Sequence, residues 1–253
     1  MENQSEREQK LRAHLQHEHS HSPFENYFKE VIYGGIDGII TTFAVVAGFS
    51  GASFSSETTT QLSFLVVLLF GLANLFADGV SMGLGNFLSV KSGQDLYKNA
   101  RNKELQEVRT HPQIEFEETI AILVAKGYTE EDAYTLASLY RKNETYWVDF
   151  MMTHELEMPD PRKDKPILTG LATFSSFLLF GSIPLLPFIL AVSASPKTVF
   201  IYSIFGTFFA LVLLAVLKWK VTGSPLRASL FEVLVVGGTA ATIAFYIGSF
   251  FNI

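Results

Sequence analysis

Five long apolar stretches, separated by polar segments, dominate the chain. They cover about residues 31–51, 62–90, 167–190, 197–217 and 228–250. Each is longer than the roughly 20 residues that a helix rising about 1.5 Å per residue needs to cross a hydrocarbon core about 30 Å thick. The pattern therefore predicts an all-α polytopic membrane protein with five transmembrane helices.

Charge lies mainly in two of the polar segments. Residues 1–30 contain 10 and residues 91–166 contain 26 of the charged side chains, in a 253-residue chain with 19 Lys and Arg and 25 Asp and Glu. An ordinary soluble globule is excluded, since the remaining length has too few polar side chains to form a water-facing surface. We predict a polar, His-containing tail over 1–30, transmembrane helices one and two over 31–90, a polar domain over 91–166 inserted between helices two and three, and transmembrane helices three to five over 167–253.

The distribution of Lys and Arg predicts the orientation. If the N-terminus is cytosolic, the inner segments 1–30, 91–166 and 218–227 hold 4, 11 and 3 of the 19 basic residues, and Lys197 lies outside. Cytoplasmic segments are enriched in Lys and Arg, so this bias places the polar domain in the cytosol. The net charge of −6 argues against a nucleic-acid partner, and the absence of Cys excludes thiolate metal sites and Cys nucleophiles.

The pattern within residues 91–166 is helical. The second transmembrane helix is expected to continue past the membrane to about Arg109, because only one Gly interrupts it before a proline. Gly127, Thr129 and Asn143 are suitable helix-capping residues. They predict three more helices, from about 113 to 126, from Thr129 onward, and from Asn143 to near Met158. Residues 160–166 then form a predicted polar hinge into the third transmembrane helix.

Carboxylates and thioethers recur at helical spacing in this domain. Glutamates lie three residues apart in two pairs, and a fifth glutamate follows two methionines by three and four residues, so each group shares a helix face. Mixed oxygen and sulfur donors favour a transition metal such as Fe(II) over Ca or Mg. A solvated helix surface explains any one group alone, and only their joint occurrence supports a metal-binding domain. The candidate ligands are Glu104, Glu107, Glu115, Glu118, Met151, Met152 and Glu155.

The transmembrane helices contain a second polar set. Asn74, Asp78 and Met82 form one stripe of the second helix at positions i, i+4 and i+8, and Asp37 lies in the first helix. Ionisable groups at membrane depth are costly and commonly mark an ion path. The alternative is a hydrogen bond from a buried Asp to a neighbouring helix.

Two smaller features leave alternatives open. Gly79 and Gly83 have the spacing of small residues at helix contacts, which fits either a dimer interface or close packing within one subunit. The tail contains four histidines that either capture metal or belong to a segment without fixed structure. These are His14, His17, His19 and His21. His111 and His154 are not included in the predicted site.

Several motifs together resemble the vacuolar iron transporter family. They are Tyr33–Gly48, Ser81–Gly85, Ser89–Ser92 and Asp149–Glu155, and the resemblance covers nearly the whole chain from about residue 30. The resemblance implies a homodimeric secondary transporter that moves Fe(II), and often Mn(II), out of the cytosol in exchange for protons. It implies no enzymatic activity and no prosthetic group, with the divalent metal as substrate and metal ions, protons and the lipid bilayer as partners.

The resemblance also implies roles for individual residues. The glutamates and methionines of the cytosolic domain match the family's metal-binding positions, and Asp37 and Met82 match its membrane path. One departure is at Asn74, where the family has a glutamate, while an additional acid, Asp78, follows one turn later. The expected location is a bacterial inner membrane, or a vacuolar membrane if the source is eukaryotic.

Two other functional classes account for part of the pattern. A membrane-tethered di-iron ferroxidase or metal-storage protein also uses carboxylate-rich helices, but the two glutamate pairs of residues 91–166 lack the Glu-x-x-His form of such sites. A metal-sensing receptor without transport would leave Asp37 and Asp78 without a purpose.

Overall fold

The computed structural model describes residues 25, 27–53, 60–190 and 194–250. Throughout these ranges the chain is helical apart from short connections, and it forms no β-strand there. The chain divides into two compact units, of which one comprises Met1–Asn86 with Ile167–Ile253 and the other Phe87–Pro166. The four histidines of the N-terminal tail lie outside the described residues.

The helices follow one another in the order that the apolar pattern predicts. In chain order they are α1 (Phe28–Ser53), α2 (Thr60–Thr110), α3 (Pro112–Ala125), α4 (Glu130–Tyr140), α5 (Glu144–His154), α6 (Pro166–Gly181), α7 (Leu186–Leu190), α8 (Pro196–Thr222) and α9 (Leu226–Phe250). Short 3-10 turns occur at Pro161–Lys163 and Ile183–Leu185.

Five segments of the described chain are long and apolar enough to cross a membrane. They are Phe28–Ser50, Leu65–Thr110, Pro166–Leu190, Lys197–Thr222 and Leu226–Ile247. The predicted number of transmembrane helices and their order are confirmed. Helix α2 has 51 residues and a length of about 77 Å, more than twice the hydrocarbon thickness, so much of it must extend beyond the lipid.

The third transmembrane segment differs from the prediction of one uninterrupted helix. Helix α6 ends at Gly181, a 3-10 turn follows, and α7 completes the segment. Pro184 and Pro187 have no N–H to donate within a helix, which explains the interruption. The buried hydroxyl of Ser203 donates a hydrogen bond to the carbonyl oxygen of Pro184 at 2.7 Å, so α8 satisfies a backbone acceptor at the break.

Glycines allow α1 and α2 to approach α6 closely. A Cβ on Gly34 would lie 2.5 Å from the carbonyl oxygen of Thr173, and a Cβ on Gly83 would lie 2.9 Å from Cβ of Phe174. A Cβ on Gly79 would be 3.3 Å from the side chain of Leu178. Of the two alternatives for the Gly79 and Gly83 pair, the structure shows close packing within the subunit.

The second unit has an aromatic and aliphatic core of its own. Trp147, Val148, Met151 and Met152 of α5 are almost completely buried, and they pack with residues of α2, α3 and α4. The Thr129 hydroxyl accepts a hydrogen bond from the backbone N–H of Asp132 at the start of α4. The predicted caps are confirmed: Asn143 accepts from the N–H of Tyr146, and Gly127 adopts φ 99° after α3.

Two details of this unit differ from the prediction. Helix α5 ends at His154 instead of near Met158, and Glu157 adopts φ 50°, which no continuing helix allows. The predicted hinge over 160–166 contains a 3-10 turn, and the Gln94 amide donates to the carbonyl oxygens of Pro161 and Asp164 at 3.0 and 2.9 Å. These bonds fix the segment against α2.

Candidate metal centre

Three glutamates from separate parts of the second unit converge. Glu104 lies on α2, Glu115 in the first turn of α3, and Glu155 directly after α5. One carboxylate oxygen from each lies within 4.8 Å of the other two. Among the His, Cys, Asp and Glu side chains of the described residues, these three glutamates form the group that could hold a metal ion.

Local sequence explains how the three side chains are placed. Pro112 begins α3, since a proline needs no N–H partner in the first turn, and Glu115 therefore occupies the helix N-terminus. Glu155 caps α5, and its backbone N–H donates to the carbonyl oxygen of Met151 at 2.9 Å. The buried Met151 and Trp147 anchor α5 in the core and so hold Glu155 at the cluster.

Two of the carboxylates are buried without full hydrogen bonding. Glu104 is 2% exposed and Glu115 is 5% exposed. Oε1 of Glu104 and Oε2 of Glu115 have no hydrogen-bond partner in the described part of the chain. An unpartnered buried carboxylate oxygen costs several kcal/mol, so such groups normally bind a proton or a cation.

The electrostatics of the cluster favour the protonated form when no cation is bound. Burial, and then repulsion by Glu115 and Glu155, raise the pKa of Glu104 to about 8. Burial is also the largest cause of the raised pKa values of Glu115 and Glu155. The cluster therefore holds a proton near neutral pH, and a divalent cation would displace it.

A cavity of about 570 Å³ adjoins the cluster. Its lining combines acidic side chains with a lysine, an imidazole, a thioether and apolar side chains. The lining residues are Ala100, Lys103, Glu104, Glu107, His111, Ile114, Glu115, Glu118, Glu155, Leu156 and Met158. All five glutamates of the predicted set therefore face one cavity.

The two predicted methionine ligands are placed differently. Met151 and Met152 are fully buried in the core of the unit and are absent from the cavity lining. The Thr119 hydroxyl donates its proton to the carbonyl oxygen of Glu115 at 2.7 Å and accepts a hydrogen bond from the Trp147 indole at 2.8 Å. Its oxygen lies 3.4 Å from the Met151 sulfur. These contacts tie α5 to α3 behind Glu115, which lies one turn before Thr119.

Sequence reasoning missed Met158 and His111 as cavity residues. Met158 lies beyond the end of α5, where helical periodicity gives no information, and its N–H donates to the carbonyl oxygen of Met152. His111 is the N-cap residue of α3. It lies between the two glutamate pairs in the sequence, and this nearness was a signal for including it in the predicted site. His154 instead contacts the ring of Phe150.

The predicted membrane set is brought together only in part. Asp37 on α1 and Asp78 on α2 are both partly buried and lie close enough for their charges to interact. Met82 packs against a buried apolar cluster between the transmembrane helices, and Asn74 is partly buried on the same face of α2.

Comparison with known proteins decides the family. The sequence matches the VIT family over residues 28–249. The chain belongs to this family. A VIT family relative, Vacuolar iron transporter 1 of Arabidopsis thaliana, is 33% identical over 229 residues, which are 90% of this chain and 88% of the relative. The Vacuolar iron transporter of Toxoplasma gondii is 33% identical over 231 residues, which are 88% of this chain and 74% of the relative. The Vacuolar iron transporter of Plasmodium falciparum is 30% identical over 240 residues, which are 92% of this chain and 85% of the relative.

Membership of the VIT family confirms the resemblance seen in the motifs. The transmembrane helices and the family match together identify a multi-pass integral membrane protein. The relatives are named for the vacuole, so these comparisons do not support the predicted bacterial inner membrane.

Proposed function

We propose that this protein is a divalent-metal transporter that moves Fe(II), and also Mn(II), out of the cytosol in exchange for protons. The observation that carries the proposal is the convergence of Glu104, Glu115 and Glu155 on one cavity, with two of them buried and incompletely hydrogen-bonded. The family match and the names of the relatives support metal transport over other uses of such a cluster.

We assign the second unit to the cytosol as the metal-collecting domain. The concentration of Lys and Arg in residues 91–166 supports this orientation. A cavity with five glutamates attracts divalent cations and raises their local concentration. Glu107 and Glu118 complete the carboxylate set, and Met158 supplies a thioether. Met151 and Met152 belong to the core that carries these ligands.

The proposed path through the membrane uses Asp37, Asn74, Asp78 and Met82. Two neighbouring carboxylates in a low-dielectric region repel each other when both are ionised, which favours binding of either a proton or a divalent cation. Alternating occupation by the metal and by protons would couple the two flows in opposite directions. The family resemblance supports a homodimer as the working assembly.

A reconstituted transport assay tests the proposal. The purified protein is reconstituted into liposomes that contain a metal-sensitive dye, and Fe(II) or Mn(II) is added outside, with and without a lumen more acidic than the outside. We expect metal entry to be faster when the lumen is acidic, and we expect the pH of the lumen to rise as metal enters. Metal entry that does not respond to the gradient would remove the exchange mechanism, and no entry at all would remove transport.

The cavity also gives a specific reason to test an iron-oxidising function. His111 lines the same cavity as Glu104, Glu115 and Glu155, and di-iron enzymes combine carboxylates with imidazole. Oxygen consumption after addition of Fe(II) distinguishes the two activities, because a ferroxidase consumes oxygen stoichiometrically and a transporter does not.

A further inference from the structure

The series of polar and thioether side chains on α2 continues one step beyond Met82. Asn74, Asp78 and Met82 are spaced by four residues, and the next position in that series is Asn86. Residues four apart are neighbours on a helix surface, with a rotation of about 40° at each step, so Asn86 is a neighbour of Met82 and lies about 80° from Asp78. Asn86 lies four residues before the end of the second apolar stretch, on the side that the Lys and Arg distribution assigns to the cytosol.

Hydrogen bonding determines the orientation of the Asn86 amide. The Thr173 hydroxyl on α6 donates its single proton to the carbonyl oxygen of Thr169 at 3.0 Å. Its oxygen can therefore only accept, and the Nδ2 group of Asn86 donates to it at 2.7 Å. Because Nδ2 faces Thr173, the amide oxygen Oδ1 lies on the other branch of the amide. Oδ1 has no hydrogen-bond partner among the residues that the structure describes.

We propose that Oδ1 of Asn86 is a cation-binding subsite at the cytosolic end of the membrane path. A carboxamide oxygen is a suitable ligand for divalent cations that also bind carboxylates and water. Since it carries no formal charge, it binds a partly hydrated cation weakly enough to release it toward Asp78. Weak successive sites are what conduction through a narrow path requires. The subsite rests on the proposed transport function for the direction of flow, but not for binding itself.

A purely structural role for Asn86 makes a different prediction. The bond from Asn86 to Thr173 joins α2 to α6, and interhelical hydrogen bonds of this kind hold transmembrane helices together. If that were the whole role, loss of Thr173 would have the same effect as loss of Asn86. If Oδ1 binds a cation, Thr173 serves only to orient the amide, and its loss has the smaller effect.

The experiment combines transport with direct binding. Mn(II) uptake is measured in liposomes. Mn(II) binding is measured by electron paramagnetic resonance on the full-length chain carrying Glu104→Gln, Glu115→Gln and Glu155→Gln, which removes all three converging carboxylates of the second unit. We expect Asn86→Leu to raise the half-saturating Mn(II) concentration about tenfold in both measurements, the size of effect that loss of one metal-supporting group produces. Thr173→Val is expected to raise it less than threefold.

Two further variants keep the test decisive. Ser176→Ala removes an interhelical hydrogen bond of the same kind, from Ser176 to the carbonyl oxygen of Val31 at 2.6 Å, and is expected to leave Mn(II) affinity unchanged. Asn86→Asp retains an oxygen and adds charge, so it is expected to lower the half-saturating concentration. It also replaces Asn86→Leu if the latter does not fold.

The outcomes separate the subsite from the transport proposal. The subsite would be overturned by unchanged Mn(II) affinity in Asn86→Leu, by an equal loss of affinity in Thr173→Val, or by no gain of affinity in Asn86→Asp. It would also be overturned if no Mn(II) binds once the carboxylate cluster is removed. If the wild-type chain does not transport but binds Mn(II) in a manner that depends on Asn86, the transport proposal fails and the subsite stands. If the wild-type chain transports Mn(II) and Asn86→Leu does not change that transport, the subsite fails and the transport proposal stands.

Discussion

Glu104 on α2 and Glu115 on α3 bring two buried carboxylates together, and each retains an oxygen without a hydrogen-bond partner. Two such groups cannot both ionise at low cost in a buried site. The pair is therefore stable when it shares a proton or binds a cation.

Metal binding to the cluster should strengthen as pH rises. The pKa of Glu104 is raised to about 8 by burial and by neighbouring carboxylates, so a proton must leave before a cation binds at neutral pH. We expect the affinity for Mn(II) to increase between about pH 6 and pH 8, with protons released on binding. Calorimetry in buffers of different ionisation enthalpy measures both. An affinity independent of pH would contradict a protonated cluster.

Metal-free stability should change in the opposite direction. In the folded state the pKa of Glu104 lies above the ordinary value of 4.5, so the folded chain binds more protons than the unfolded chain between these values. Stability from this group is therefore present below about pH 4.5 and is lost as pH rises through about 8. Thermal melting in detergent should show a falling midpoint over this range, and Mn(II) should restore it. The variant Glu104→Gln should reduce this pH dependence, and the part that remains is expected from the raised pKa values of Glu115 and Glu155.

Removing a cluster carboxylate should abolish tight binding without unfolding the chain. Glu104→Gln conserves shape and removes the charge, and we expect Mn(II) affinity to fall at least tenfold while the metal-free melting temperature at pH 8 rises. The matched control is Glu117→Gln, because Glu117 is exposed on α3 and bonds only to Gln113 among the described contacts. Equal losses in both variants would point to a general electrostatic effect instead of a site.

The methionines should separate into a ligand and core residues. Met158→Leu removes a thioether from the cavity lining, and we expect weaker binding of Fe(II) relative to Mn(II), since thioether sulfur favours the softer ion. Met151→Leu conserves volume but removes the contact with Thr119, so it should lower stability by about 1 kcal/mol with a smaller change in affinity. Calorimetry and thermal melting distinguish the two. A larger loss of affinity in Met151→Leu would restore that residue as a direct ligand.

The membrane path should be separable from metal collection. Asp37→Ala is expected to reduce Mn(II) uptake in liposomes by at least tenfold and to leave binding at the Glu104 cluster unchanged, since the two sites lie in different units. Glu232→Gln is a suitable control, because Glu232 is an exposed acid paired with Lys218 near the start of α9. Undiminished uptake in Asp37→Ala would remove Asp37 from the path.

The contact between α1 and α6 should tolerate no side chain at Gly34. In Gly34→Ala the new Cβ would lie 2.5 Å from the carbonyl oxygen of Thr173, so the helices must separate, at a cost of about 1–3 kcal/mol. Gly48→Ala on the same helix is the control, because no atom lies within 4 Å of its Cβ position. Melting temperatures of the two variants in detergent measure the difference. Equal stability would show that α1 can shift freely against α6.

The sequence by itself determined the helical class, the number of transmembrane helices and the family. Lipid imposes a minimum length on an apolar helix, and that length is readable from composition. Helix ends at Gly127, Thr129 and Asn143 were also predictable, since capping depends on local side chains. The break at Pro184 follows from prolines that are present in the sequence, but the continuous apolar stretch around them led to the prediction of one uninterrupted helix.

Only the tertiary structure decided which predicted ligands meet. Glu104 and Glu115 lie on two helices and Glu155 directly follows a third, so their distances depend on how those helices pack around Trp147. The same packing buried Met151 and brought Met158 to the cavity, although helical spacing treats methionines alike. Spacing along one helix specifies a shared face, whereas which face is buried and which lines a cavity follows from contacts between residues distant in the chain.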